Sequence, residues 1–224
     1  MADEAKNEAT FIVEPLGSNL DSPTSYQLRK RFQATDTTTN YSTANVSKMF
    51  DDIMDQMSRP TASNSSMKGG LLFLKNGTYT LNSVGIVAGD TTDGANVHVR
   101  IMGESRNSTI IKSGSGFPQL LYQVCDLDVE NITFDGNSVA TISGISEDSS
   151  IVPSKKLKVT NCKFTNIEGF DIILGKNQYG FDVSHCLFEN KQNTNDQFAF
   201  ECTGYGNVHH CIFDRTAGDT QEKV

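Results

Sequence analysis

Long apolar runs are missing from this chain of 224 residues. A helix that crosses a bilayer needs about 20 mostly apolar residues in a row, so no helical membrane span is expected. The opening stretch, MADEAKNEATFIVEP, lacks the apolar core of a secretory signal; a secreted protein whose signal has been removed fits equally well. Basic residues are few: 19 Lys and Arg stand against 27 Asp and Glu, a net charge of -8. A surface of that sign repels phosphate backbones, which argues against nucleic acid as a partner. It suits neutral sugars, or acidic polymers held locally by lysines, arginines or a bridging cation. The five cysteines, Cys125, Cys162, Cys186, Cys202 and Cys211, contain no CxxC pair. Their odd number argues against a complete disulfide framework.

What the chain does have is a repeat. VENITF, VTNCKF, VSHCLF and VHHCIF begin at Val129, Val159, Val183 and Val208. Ile132, Cys162, Cys186 and Cys211 follow three residues later, then Phe134, Phe164, Phe188 and Phe213. Spacings of 30, 24 and 25 residues are those of a solenoid, in which each copy stacks on the next. Val and Cys are three apart, so strand alternation alone does not put both inside; a bend must lie between them. Asn131, Asn161, His185 and His210 take the second bend position, where Asn tolerates unusual backbone angles. The repeat cysteines then read as small apolar fillers of a buried stack; zinc or disulfide roles are the alternative. After each loop a second strand is expected, at 140–144, 170–174 and 198–202. About six coils spaced about 4.8 Å apart would make a rod roughly 30 Å long.

Upstream, Val46, Met49, Phe50, Ile53, Met54 and Met57 recur at helical spacing and predict a helix over 43–57. Ser42 or Thr43 is its expected cap, and Arg59-Pro60 its end. Asp51-Asp52 falls on the polar helix face and reads as solvated. Residues 1–42 are polar and read as an irregular leader; residues 43–224 form the solenoid with its capping helix.

An amphipathic helix followed by GGLLFLKNGTYTL (69–81), and the V-x-N-C-x-F corner, together resemble the pectin-lyase-like superfamily. The resemblance covers about residues 43–215. It implies an all-β fold: a right-handed, single-stranded parallel β-helix with an N-terminal capping α-helix. The superfamily includes pectate lyases, polygalacturonases, alginate epimerases and lyases, phage tailspikes, and coat or adhesion proteins without catalysis. Its activity motifs are mostly missing. The coils carry no polygalacturonase-like NTD, DD and GHG series, and the chain has no RxPxxR of pectate lyases. The YGFDPHE motif of mannuronan C5-epimerases is matched only by Gly169-Phe170-Asp171 and by Tyr179-Gly180-Phe181-Asp182. Neither continues to the Pro-His that would supply the acid–base histidine.

With the repeat facing inward, Asp171 and Glu201 are expected on one exposed face, about one coil and two residues apart. That gives a Cα separation of roughly 8 Å. Inverting glycosidases hold their carboxyl groups about 6.5–9.5 Å apart, so Asp171 and Glu201 are the candidate acid and base. Together with Glu168 and Asp196 the same carboxylates would suit Ca²⁺, a hard cation that takes oxygen ligands; no other cofactor is suggested. A plain solvated acidic face is the third reading. Tyr179 and Tyr205 are candidates for stacking on sugar rings, or for loop packing. His185, His209 and His210 are corner residues, or groups that bind a metal or titrate near neutrality.

The expected function is action on, or binding of, a polysaccharide, as hydrolase or lyase if an enzyme. The alternative is a non-catalytic glycan-binding or structural module of a larger surface or virion assembly. Either implies an extracellular, cell-surface or virion-surface location. The C-terminal end shows no capping helix, so an oligomer or a longer parent chain is expected to cover its edges.

Overall fold

The computed structural model describes residues 9–32, 35–58, 69–89, 97–114, 119–138, 143–147, 155–167, 169–174, 179–189, 200–202 and 204–214. It opens with strands: β1 (Ala9–Leu16), β2 (Ser25–Phe32) and β3 (Thr35–Ser42). β1 pairs antiparallel with β2, and β2 with β3. This corrects the irregular leader. Phe11 and Val13 alternate with half-buried neighbours in β1, as do Tyr26 and Leu28 in β2, and all four are buried. The period-2 signal is short and surrounded by polar residues, so it is weak in the sequence.

A 3₁₀ turn (Thr43–Asn45) leads into α1 (Val46–Ser58). Ser42 makes no side-chain cap bond, contrary to expectation. The start is tied instead by Ser47, whose hydroxyl donates to the Val84 carbonyl and accepts from the Asn82 amide, both at 3.0 Å. All six apolar residues of the helical stripe are fully buried, each contributing roughly 1.5–3 kcal/mol of transfer free energy. Asp51 is exposed, while Asp52 is held by Lys48 at 2.7 Å and by the Tyr41 hydroxyl at 3.0 Å. Arg59 and Pro60 lie outside the described residues.

Three strands then make one coil. β4 (Gly69–Leu74), β5 (Gly77–Leu81) and β6 (Ile86–Ala88) form the first. β7 (His98–Gly103), β8 (Thr109–Ser113) and β9 (Gln119–Gln123) form the second. β10 (Asp126–Glu130), β11 (Thr133–Asp135) and β12 (Ser143–Glu147) form the third. β13 (Leu157–Thr160), β14 (Lys163–Thr165) and β15 (Phe170–Leu174) form the fourth. β16 (Tyr179–Ser184), β17 (Leu187–Glu189) and β18 (Phe200–Cys202) form the fifth. β19 (Tyr205–His209) and β20 (Ile212–Asp214) belong to a sixth.

Like strands stack in parallel into three sheets. Sheet A has nine strands, in the order β19-β16-β13-β10-β7-β4-β1-β2-β3; sheet B has six and sheet C five. The molecule is a parallel β-solenoid. α1 packs on β4, β5 and β6, covering the first coil, and β1 continues sheet A beyond β4. The strand expected at 140–144 is β12, the last of the third coil, at Ser143–Glu147, with Ile145 facing Ile172 in register. Ile142 lies outside the described residues.

The repeat sets the register. Val129, Val159, Val183 and Val208 are successive partners in sheet A. Phe134, Phe164, Phe188 and Phe213 are successive partners in sheet B, with ring centroids 5.2, 5.1 and 4.9 Å apart and planes within 12°. Between them the chain bends at Asn131 (φ 60°), Asn161 (φ 51°), His185 (φ 57°) and His210 (φ 54°). Asn is among the few L-residues that visit this left-handed region routinely. The Asn161 amide donates to the Asn131 carbonyl oxygen at 2.7 Å, linking one corner to the next. Cys162 and Cys186 are buried and Cys211 half-buried. Their sulfurs lie 3.4, 3.3 and 3.4 Å from the carbonyls of Thr160, Ser184 and His209. These thiols are packing groups with weak S–H donors, as expected.

Candidate functional site

Of the four carboxylates of the expected acidic face, Asp171 alone has a described side chain, and it is buried. Ile173 pairs with Glu201 between β15 and β18, so Asp171 is one coil and two residues from Glu201, as anticipated. Asp171, however, is 1% exposed. The neighbouring strand β12 is likewise buried at every residue. Gly144, whose ideal Cβ would stand 2.7 Å from the Asp171 carbonyl, would also meet Phe164 Cδ1 at 2.8 Å and Ile167 Cδ1 at 2.9 Å. This end of the strand row is packed against the Phe stack. A two-residue alternation says which residues share a side, but not whether that side is wet. Of Glu201 only the backbone is described, and Glu168 and Asp196 lie outside the described residues. Among the described residues, no group of three or more His, Cys, Asp or Glu is arranged to hold a metal ion.

Exposed chemistry gathers instead on the outer side of sheet A. The residue before each repeat valine, and before Ile101, its partner in β7, points away from the core. The sheet register therefore aligns Arg100, Asp128, Lys158, Asp182 and Asn207 in one row. The signs alternate along it: cation, anion, cation, anion. His98 Nε2 lies 3.2 Å and Arg100 Nε 4.0 Å from Asp128 Oδ2. Met102, Glu130 and Thr160 form the next row. The two rows line a shallow groove bounded by Arg100, Met102, Asp128, Glu130, Lys158 and Thr160. Exposed pairs of this kind contribute at most about 1 kcal/mol each, so the row is not explained as a stabilising device. Its sequence signal was in plain view, one residue before each valine.

Tyr179 and Tyr205 lie in strands, not loops. They are register partners of β16 and β19, with a bulge after Tyr179 at Gly180 (φ 90°). Tyr205 is 83% exposed. His185 and His210 occupy the left-handed corner, in the places that Asn131 and Asn161 fill in earlier coils. Their rings stack at 5.0 Å, 12° from parallel. His209, at the end of β19, meets His210 at 2.7 Å between their Nδ1 atoms, and Asp182 at 3.1 Å through Nε2.

No family profile matches the chain, and no curated protein matches it. Among solved structures it is similar to the Geobacillus virus E2 protein ORF18, at 13% identity and a TM-score of 0.35. That alignment covers 91% of this chain and 48% of the viral one, so the chain spans about half the length of that protein.

Proposed function

We propose that this protein is a glycan-binding β-solenoid that holds a neutral polysaccharide along the outer side of sheet A. The observation that carries this reading is the alternating row Arg100, Asp128, Lys158, Asp182 beside the shallow groove. Strands in parallel register repeat every 4.8 Å or so, which suits a ligand that is itself a repeating polymer. Cations and carboxylates in alternation offer donors and acceptors to sugar hydroxyls while keeping the local field balanced, despite the overall charge of -8. Tyr205 supplies an exposed aromatic ring on the same sheet. Membership of the pectin-lyase-like superfamily belongs to the same proposal. It is supported by the helix over the first coil, the GGLLFLKNGTYTL segment and the V-x-N-C-x-F corner. So does an extracellular, cell-surface or virion-surface location, where such polymers occur.

Catalysis at Asp171 and Glu201 is not part of this reading, because a carboxyl group closed off from solvent does not reach a polymer chain. A screen against a panel of polysaccharides separates the two. Binding without new reducing ends or absorbance from new double bonds is the expected result. Turnover that D171N and E201Q both diminish would establish a hydrolase or lyase at that pair and end the binding-only reading.

A further inference from the structure

The histidine corner of the sixth coil lies beyond the groove and shares only Asp182 with the charged row. Asp182 is an acceptor only, so its 3.1 Å contact puts a proton on His209 Nε2. In a neutral imidazole this leaves His209 Nδ1 with a bare lone pair. His210 Nδ1, 2.7 Å away, then donates its N–H to that lone pair. The left-handed bend at His210 (φ 54°) turns two adjacent side chains toward one point, an arrangement that plain strand alternation forbids. His185 stacks on the His210 ring at 5.0 Å and steadies its plane. All three imidazoles are exposed.

We propose that His209 and His210 form a two-imidazole chelate for a divalent transition-metal ion, with water completing the coordination and Asp182 as the supporting carboxylate. The ion takes the place of the proton now shared between the two Nδ1 atoms. That proton leaves His210 Nδ1 for solvent, and another is taken up at His210 Nε2, so binding is neutral in protons. Metal–imidazole bonds of about 2.0–2.1 Å at a tetrahedral angle need the nitrogens roughly 3.3 Å apart. The nitrogens must therefore part by about half an ångström from their present contact, and the rings must turn so that the two Nδ1 lone pairs, which now face each other, converge on one point. An imidazole that ligates through one nitrogen commonly donates its other N–H to a carboxylate, which fixes the tautomer; Asp182 does this for His209. Imidazole donors select copper, nickel and zinc over calcium or magnesium, with copper(II) bound tightest.

Calorimetric titration of the full chain with copper(II), nickel(II) or zinc chloride tests the site. One ion per chain is expected to bind saturably, copper more tightly than nickel, with two nitrogen ligands in the copper spectrum by electron paramagnetic resonance. H210N places asparagine where Asn131 and Asn161 already stand in the left-handed corner, so the fold should persist, as circular dichroism will verify. That variant and H209N are expected to lose saturable binding. D182N should weaken it about 10–100-fold, and H98N, in β7 four strands away from β19 across sheet A, should leave it intact. Absence of saturable binding in the unaltered chain, or unchanged binding in a folded H210N, overturns the proposal.

Discussion

Phe164→Ala should damage the molecule far more than Phe213→Ala, although both residues hold the same place in the repeat. Phe164 is fully buried and stacks on Phe134 at 5.2 Å and on Phe188 at 5.1 Å, with planes 12° and 8° from parallel. Removing a buried phenyl ring costs about 3–5 kcal/mol. Two aromatic partners, each pair worth about 0.5–1.5 kcal/mol, place this one near the upper end, at about 4–5 kcal/mol. Phe213 is 53% exposed and, among the described residues, stacks on one ring, Phe188 at 4.9 Å. Half of a transfer term of roughly 1.5–3 kcal/mol, with one ring pair, gives about 1.3–3 kcal/mol. Urea unfolding followed by circular dichroism reads both, through the midpoint at unchanged slope. Costs equal to within about 0.5 kcal/mol would refute the stacking account, since nearest-neighbour coupling between coils requires a buried rung stacked on both sides to lose more than a half-exposed one.

Other outcomes follow from the corners and the thiols. Asn161→Val forces a β-branched side chain into φ 51° and removes the bond to Asn131; a loss of about 2–3 kcal/mol in urea midpoint analysis is expected. Asn161→Gly, which removes only the bond, should lose about 1 kcal/mol, and a reversed order would contradict the corner assignment. Burial pushes the Cys125 thiol up to about 12, and the Tyr26 hydroxyl likewise to about 12. Because the folded values lie above the unfolded ones near 8.5 and 10, the unfolded chain releases these protons first. Stability should thus be complete below about pH 8.5 and fall from there toward pH 12, by at most about 1.4 kcal/mol per pH unit per group. A urea midpoint that stays flat across that window, measured with reductant present, would exclude the linkage.

The solenoid was legible because its signal is repeated. Four valines, three cysteines and four phenylalanines at matching offsets fix phase and register, and the structure pairs them residue for residue. The bend between Val and Cys was legible too, since alternation fails over three residues and Asn at the corner supplies the left-handed geometry. β1 to β3 were not, because a strand added outside the repeat has no copy to be compared with. Asp171 shows the other limit. Its place in the register was correct, but its solvent exposure depends on tertiary packing: every residue of the neighbouring β12 is buried as well, and no local pattern encodes that. The charged row on sheet A was readable one residue before each valine, yet its meaning depends on knowing that this side of the sheet stays open.

Electrophoretic retardation in native gels cast with individual neutral polysaccharides, comparing the unaltered chain with the Arg100→Ala/Lys158→Ala variant, tests the binding face most directly. Retardation by at least one polymer is expected, with most of it lost in the double variant while its urea midpoint stays near that of the parent. A chain that no polymer retards, or a double variant retarded as strongly as the parent, would contradict the assignment of sheet A as the glycan-binding surface.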